Sequence, residues 1–109
     1  MNKRLKKKWL RALRSGHYRQ VRSRYRAYKA HSALGVLLDA HDPRGWTNDA
    51  SFGATQHRLI YSGSISSHGH DEMGISLEEC EEIILMNDGK NACNMRSFKQ
   101  IARWIEYHL

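Results

Sequence analysis

Twelve lysines and arginines and not one carboxylate occupy residues 1–31. A stretch so charged joins a folded core only by confining its apolar side chains to one face and leaving every cation in water, because a buried unpaired charge is prohibitively costly. The spacing obeys that constraint. Leu5, Trp9, Ala12 and Leu13 recur at helical intervals between Lys3 and Arg14, with Leu10 at the edge of the stripe, and this predicts an amphipathic helix. Arg4, Lys7, Lys8, Arg11 and Arg14 gather on the opposite side, and Ser15-Gly16 supplies the stop.

The other 78 residues reverse the balance. They hold six Lys and Arg against eleven Asp and Glu, so the net +7 divides into +12 and −5. That asymmetry points to a polyanion, an acidic protein face, or the acidic end of a second copy as partner, the last allowing a homo-oligomer. A length of 109 residues predicts a single domain over 1–109 with one modest core, and 40% hydrophobic residues exclude a disordered tail. The apolar runs Ala33 to Leu38 and Ile83 to Met86 fall far short of a membrane span, and Met1 is followed by cations rather than a signal-like stretch. A cytoplasmic protein is expected. Cys80 and Cys93 are the only cysteines and lack any zinc-type spacing, so two reduced thiols are expected.

Tyr18 to Tyr28 fits two geometries. Tyr18, Val21, Tyr25 and Tyr28 suit a helix, whereas a strand lines up Arg22, Arg24 and Arg26 on one outward face. A strand or hairpin is preferred, because the helix crowds Arg22 and Lys29 into the apolar stripe. Ser32 to Asp39 reads as a short buried helix, His41 to Trp46 as a turn around Pro43 and Gly45, and Trp46 to Thr55 as polar and irregular. His57 to Ser62 reads as a strand and residues 62–70 as a surface loop. Ser76 with Glu79 and Ser97 with Gln100 are capping-box pairs that start two helices. The first, Leu77 to Met86, is expected to turn Leu77, Cys80, Ile83 and Ile84 inward; the second, Phe98 to His108, Phe98, Ile101, Ala102, Ile105 and Leu109. The fold class is therefore α+β: a basic N-terminal helix, a small antiparallel sheet from residues near 18–30 and 57–62, and a C-terminal helical hairpin.

Three blocks together resemble a group of small tailed-bacteriophage proteins of unknown function. They are Trp9-Leu10-Arg11-Ala12-Leu13-Arg14-Ser15-Gly16-His17-Tyr18, Leu34-Gly35-Val36-Leu37-Leu38-Asp39, and Asn87-Asp88 followed by Ser97-Phe98-Lys99-Gln100-Ile101-Ala102-Arg103-Trp104-Ile105-Glu106. The resemblance implies a phage origin and a compact α+β fold, and it brings no catalytic residue with it. In that group two cysteines typically precede Leu-Gly-Val-Leu and a third follows it; here Ser32, Ala33 and Leu38 stand in those places.

The basic surface is the main chemical signal. Arg4, Lys7, Lys8, Arg11, Arg14, Arg22, Arg24 and Arg26 suit phosphate contacts, and Tyr18, Tyr25 and Tyr28 suit stacking on bases. A solvated positive face is the competing reading. His68, His70 and Asp71, with Glu72, form a weak metal candidate without helical zinc spacing, and a polar loop is favoured there. Asn87 to Asn91 does not place oxygens as a calcium loop needs, and the last two helices are too far apart for a helix-turn-helix. No nucleophile motif or phosphate-binding glycine loop occurs, so neither catalysis nor a cofactor is expected. The expectation is a phage accessory protein that inhibits a host defence system by binding a nucleotide signal, a nucleic-acid complex such as a ribonucleoprotein, or an acidic host protein. The alternative is direct RNA or DNA binding in phage gene expression or genome handling.

Overall fold

The computed structural model describes residues 1–49, 54–90 and 93–109. The chain order is α1 (Lys3–Arg14), β1 (Arg19–Gln20), β2 (Arg26–Ala27), β3 (Ala30–His31), α2 (Ala33–His41), β4 (Trp46–Asp49), β5 (Ala54–His57), β6 (Ile60–Tyr61), β7 (Ser64–Ile65), α3 (Ser67–Met73), α4 (Leu77–Asp88) and α5 (Phe98–His108). The fold is α+β, with the basic helix at the start of the described order and the helix pair α4 and α5 at its end.

The centre of the core is α2. Its run of Ala33, Leu34, Val36, Leu37 and Leu38 is buried on all sides, which suits a helix wrapped by neighbours rather than one lying on a surface. Helices α1 and α4 both pack on α2 and on α5. From α1, Leu5, Trp9 and Leu13 enter the core, and the Trp9 indole Nε1 donates 2.9 Å to the Ala33 carbonyl, so the largest buried side chain is also hydrogen-bonded. Asn2 caps the start of α1, and Gly16 leaves it with φ +78°, as the Ser15-Gly16 stop predicts. Both capping boxes form as the sequence predicts.

The strands are shorter than expected and differently joined. Strands β1, β3 and β2 form one sheet in that order, β1 parallel and β2 antiparallel to β3. Residues 57–62 do not join it: β4 and β5 make one antiparallel hairpin, β6 and β7 another. The polar segment 46–55, read as irregular, thus supplies two strands, held by backbone pairing that apolar alternation does not reveal; its residues 50–53 lie outside the described residues, as does Asn91 of the expected turn. The loop expected at 62–70 folds into β7 and most of α3, which Ser66 caps at Gly69.

Gly35 shows how tightly the layers meet. A Cβ there would lie 1.8 Å from the Tyr25 carbonyl oxygen, so only glycine lets β2's approach rest on α2. The face of α4 also differs from expectation. Cys80, Ile83, Met86 and Asn87 are buried, while Leu77 and Ile84 face outward, a rotation that places a polar asparagine inside.

Candidate functional site

The cationic face of α1 forms as its spacing requires. Arg4, Lys7, Lys8 and Arg11 are exposed, and none of them makes an ion pair among the described residues. Arg14 differs: it is ion-paired with Glu106 of α5, whose carboxyl is held below its ordinary range by that guanidinium. Lys6 donates to the Glu106 carbonyl at 3.2 Å, so it ties α1 to α5 and leaves the face to its neighbours. At the start of this face lies a pocket of about 200 Å³ lined by Arg4, Leu5, Lys8, His41 and Glu72.

Glu72 belongs to a knot of charges. Arg58 donates to both of its oxygens (2.6 and 3.2 Å) and to Asp42 Oδ2 (2.5 Å), and His41 Nε2 lies 2.6 Å from Glu72 Oε2. The Arg58 guanidinium, then His41, hold the Glu72 carboxyl down to about 2. The carboxylate in the pocket wall is thus ionised at neutral pH and already matched.

The arginine and tyrosine strip does not form the outward face that a strand would give. Residues 21–25 bend between β1 and β2, with Ser23 at φ +66°. Arg22 and Arg24 are exposed in that bend, but Arg26 lies with its guanidinium carbon 5.2 Å from the Trp46 ring centroid and donates to the Tyr28 carbonyl. Tyr18 and Tyr25 are half-buried, and the Tyr18 hydroxyl donates to Asp39 Oδ2 at 2.5 Å. Burial, then Asp39, push the Tyr18 phenol up to about 12. Of these three tyrosines, Tyr28 alone, 93% exposed, leaves its ring open to a ligand.

Sequence reasoning misses what surrounds Tyr18. Asp39 accepts from Tyr18 on one oxygen and from Trp46 Nε1 (3.0 Å) on the other, and His31 sits between those two rings at centroid distances of 5.0 and 5.9 Å. Neither His31 nitrogen has a hydrogen-bond partner among the described residues, and burial pushes its pKa down, so the ring is uncharged. A second missed centre is Asn87. Its Oδ1 accepts from the Ala33 amide (3.1 Å) and Gln20 Nε2 (2.9 Å), and its Nδ2 donates to the Val21 carbonyl (3.0 Å) and Asp88 Oδ1 (2.9 Å). Asp88 Oδ1 also accepts from the Ser23 amide. The end of α4 thereby fixes the arginine-bearing bend. The available signal was the sequence blocks themselves, since Tyr18, Asp39 and the Asn87-Asp88 pair all lie in them.

The weak metal candidates fall on one short helix, α3. His70 Nδ1 lies 2.9 Å from the Ile75 carbonyl, His68 lies 3.5 Å from Glu72, and Asp71 faces solvent. Among the described residues no three metal-ligating side chains converge. Cys80 is buried, its thiol pushed up to about 12 by burial, and so stays protonated; Cys93 is exposed, and both are free. No helix among the described residues is long and apolar enough to cross a membrane.

The class so defined is a small α+β protein that presents a basic helix outside an apolar core. Residues 1–66 match the model of a family described as a domain of unknown function (DUF8296), and the chain belongs to that family. The match takes in α1, the three-stranded sheet, α2 and both hairpins, hence the cationic face and the Tyr18–Asp39–Trp46 cluster. No curated protein and no solved structure matches the chain.

Proposed function

We propose that the protein is a non-catalytic bacteriophage accessory protein that acts on a host system, its defences foremost, by binding an anionic partner through α1. One observation carries the reading: Arg4, Lys7, Lys8 and Arg11 stand exposed on one rigid helix face with no ion-pair partner among the described residues. Like charges held in a row repel one another in the free protein, and that repulsion is relieved when a polyanion lies along them. From Arg4 to Arg11 the row extends ~10 Å at the helical rise. That length favours an extended anion, a nucleic acid within a host complex or an acidic protein face, over one compact nucleotide. The phage setting rests on the resemblance of the three sequence blocks.

Direct binding of RNA or DNA is the second reading, favoured by the exposed Tyr28 ring and the exposed Arg22 and Arg24. Salt separates the two readings. A protein that neutralises four backbone phosphates loses about two orders of magnitude in affinity between 50 and 200 mM salt. The test is capture of partners from host lysate, with and without nuclease, on the protein and on its R4E/K7E/K8E/R11E variant. The proposal expects a component held by the first and not by the second; equal retention on both contradicts it.

A further inference from the structure

The outward face of α4 has a composition that solvent alone does not explain. Leu77, Ile84 and Leu85 are 55, 38 and 49% exposed, and they alternate around the helix with Glu78, Glu81 and Glu82. No Lys or Arg occurs on α4, and none of these glutamates is ion-paired among the described residues. Beside Ile84 the surface opens into a pocket of about 140 Å³ whose lining includes the apolar Leu34 and Ile83, Tyr25, the polar Ser32, and one charge of each sign, Arg24 and Asp88. A cavity near 150 Å³ holds a benzene ring, so this one takes a single leucine or phenylalanine side chain.

We propose that this face docks a basic amphipathic helix of a partner protein, one apolar residue seated in the pocket, further apolar residues on the Leu77–Ile84–Leu85 ridge, and flanking Lys or Arg against the glutamates. Two features select that occupant. The charge is complementary to a cationic helix, and the apolar ridge demands a ligand with exposed apolar side chains of its own. A second copy of this chain meets the first demand and fails the second, because the apolar stripe of its α1 (Leu5, Trp9, Leu13) is committed to its own core. The face lies apart from the cationic face of α1, though Arg24 of the bend lines its pocket: α1 and α4 each pack on α2 and α5 and have no comparable contact with one another. An anion on α1 and a basic helix on α4 can therefore be held together, as in a complex of nucleic acid with a basic protein. The inference does not rest on the reading of α1.

The probe is a fluorescein-labelled synthetic peptide of residues 2–15, which as a free peptide is a basic amphipathic helix former with its Leu5, Trp9 and Leu13 stripe exposed. The control is the same peptide with those three positions changed to serine, charge intact. Anisotropy titration with the full-length protein is expected to give saturable binding with Kd below about 100 μM, at least tenfold weaker for the control. Ile84→Asp and the fully surface change Glu81→Lys should each weaken it about tenfold. Circular dichroism checks that both variants are folded, and Glu81→Lys keeps the test informative if Ile84→Asp is not. Absence of saturable binding, equal binding of the serine control, or binding undiminished in the folded α4 variants overturns the proposal. So does salt-sensitive self-association of the protein that Glu81→Lys abolishes, which would make a second copy the occupant.

Discussion

Helices α1 and α4 are each twelve residues long and rest on the same two helices, yet they solve the burial problem in opposite ways. In α1 every large apolar side chain that can reach the core does so, and the exposed face is nearly pure cation. In α4 the exposed face mixes glutamates with three aliphatics, and the buried face includes an asparagine. Periodicity decides orientation where polar and apolar residues segregate cleanly, as at Leu5, Trp9 and Leu13. It fails where four consecutive apolar residues, Ile83 to Met86, cover every side of the helix; there the hydrogen bonds of Asn87 fix the rotation.

The contrast breaks most sharply under truncation. Trp9→Ala removes a fully buried ring and its bond to the Ala33 carbonyl, and should cost about 3–5 kcal/mol in urea unfolding. Leu85→Ser on α4 should change stability by no more than about 0.5 kcal/mol. Comparable losses at the two sites would show that the α4 face is core after all.

Asn87→Ala comes next. It strands the Ala33 amide and the Val21 carbonyl, and a loss of about 3 kcal/mol is expected. A buried asparagine worth so much is invisible to hydrophobic patterning, which explains why the expected inward face, Leu77 and Ile84 included, was rotated from the one found. The capping boxes and the α1 stripe were legible because each depends on residues three or four apart. The hairpin of β4 and β5 was not, since polar strands are stabilised by pairing across a turn rather than by an apolar period. The basic strip was legible in composition but not in placement: Tyr18 and Arg26 meet Asp39 and Trp46, partners 21 and 20 residues away in sequence.

A smaller effect tests that inward turn. Asp39→Asn should cost about 1–2 kcal/mol, and the Tyr18 phenol should titrate below its present value near 12 in an ultraviolet pH scan. Because the folded value is raised, Tyr18 contributes stability in full below its ordinary value of 10.0 and loses it as pH rises through about 12. An unchanged titration would mean that Asp39 does not hold the phenol.

The smallest expected effect lies at the knot beside α1. The Glu72 carboxyl is depressed from 4.5 to about 2, so its contribution is present above 4.5 and disappears as pH falls through about 2. Glu72→Gln should flatten the fall in Tm across that window, by a small amount because the pair is solvent-exposed. An identical acid profile in both proteins would remove Glu72 from the account.

The reading of α1 as the contact surface is tested most directly by equilibrium titration of two synthetic polyanions, a 20-nucleotide single strand and a 20-residue polyglutamate, at 50 and 200 mM salt. The account predicts that at least one binds the protein at the lower salt, that its affinity falls at the higher, about a hundredfold for the single strand and less for polyglutamate, and that R4E/K7E/K8E/R11E abolishes binding while the variant remains folded. Binding unaffected by the four reversals, or no binding of either polyanion at 50 mM salt, would contradict it.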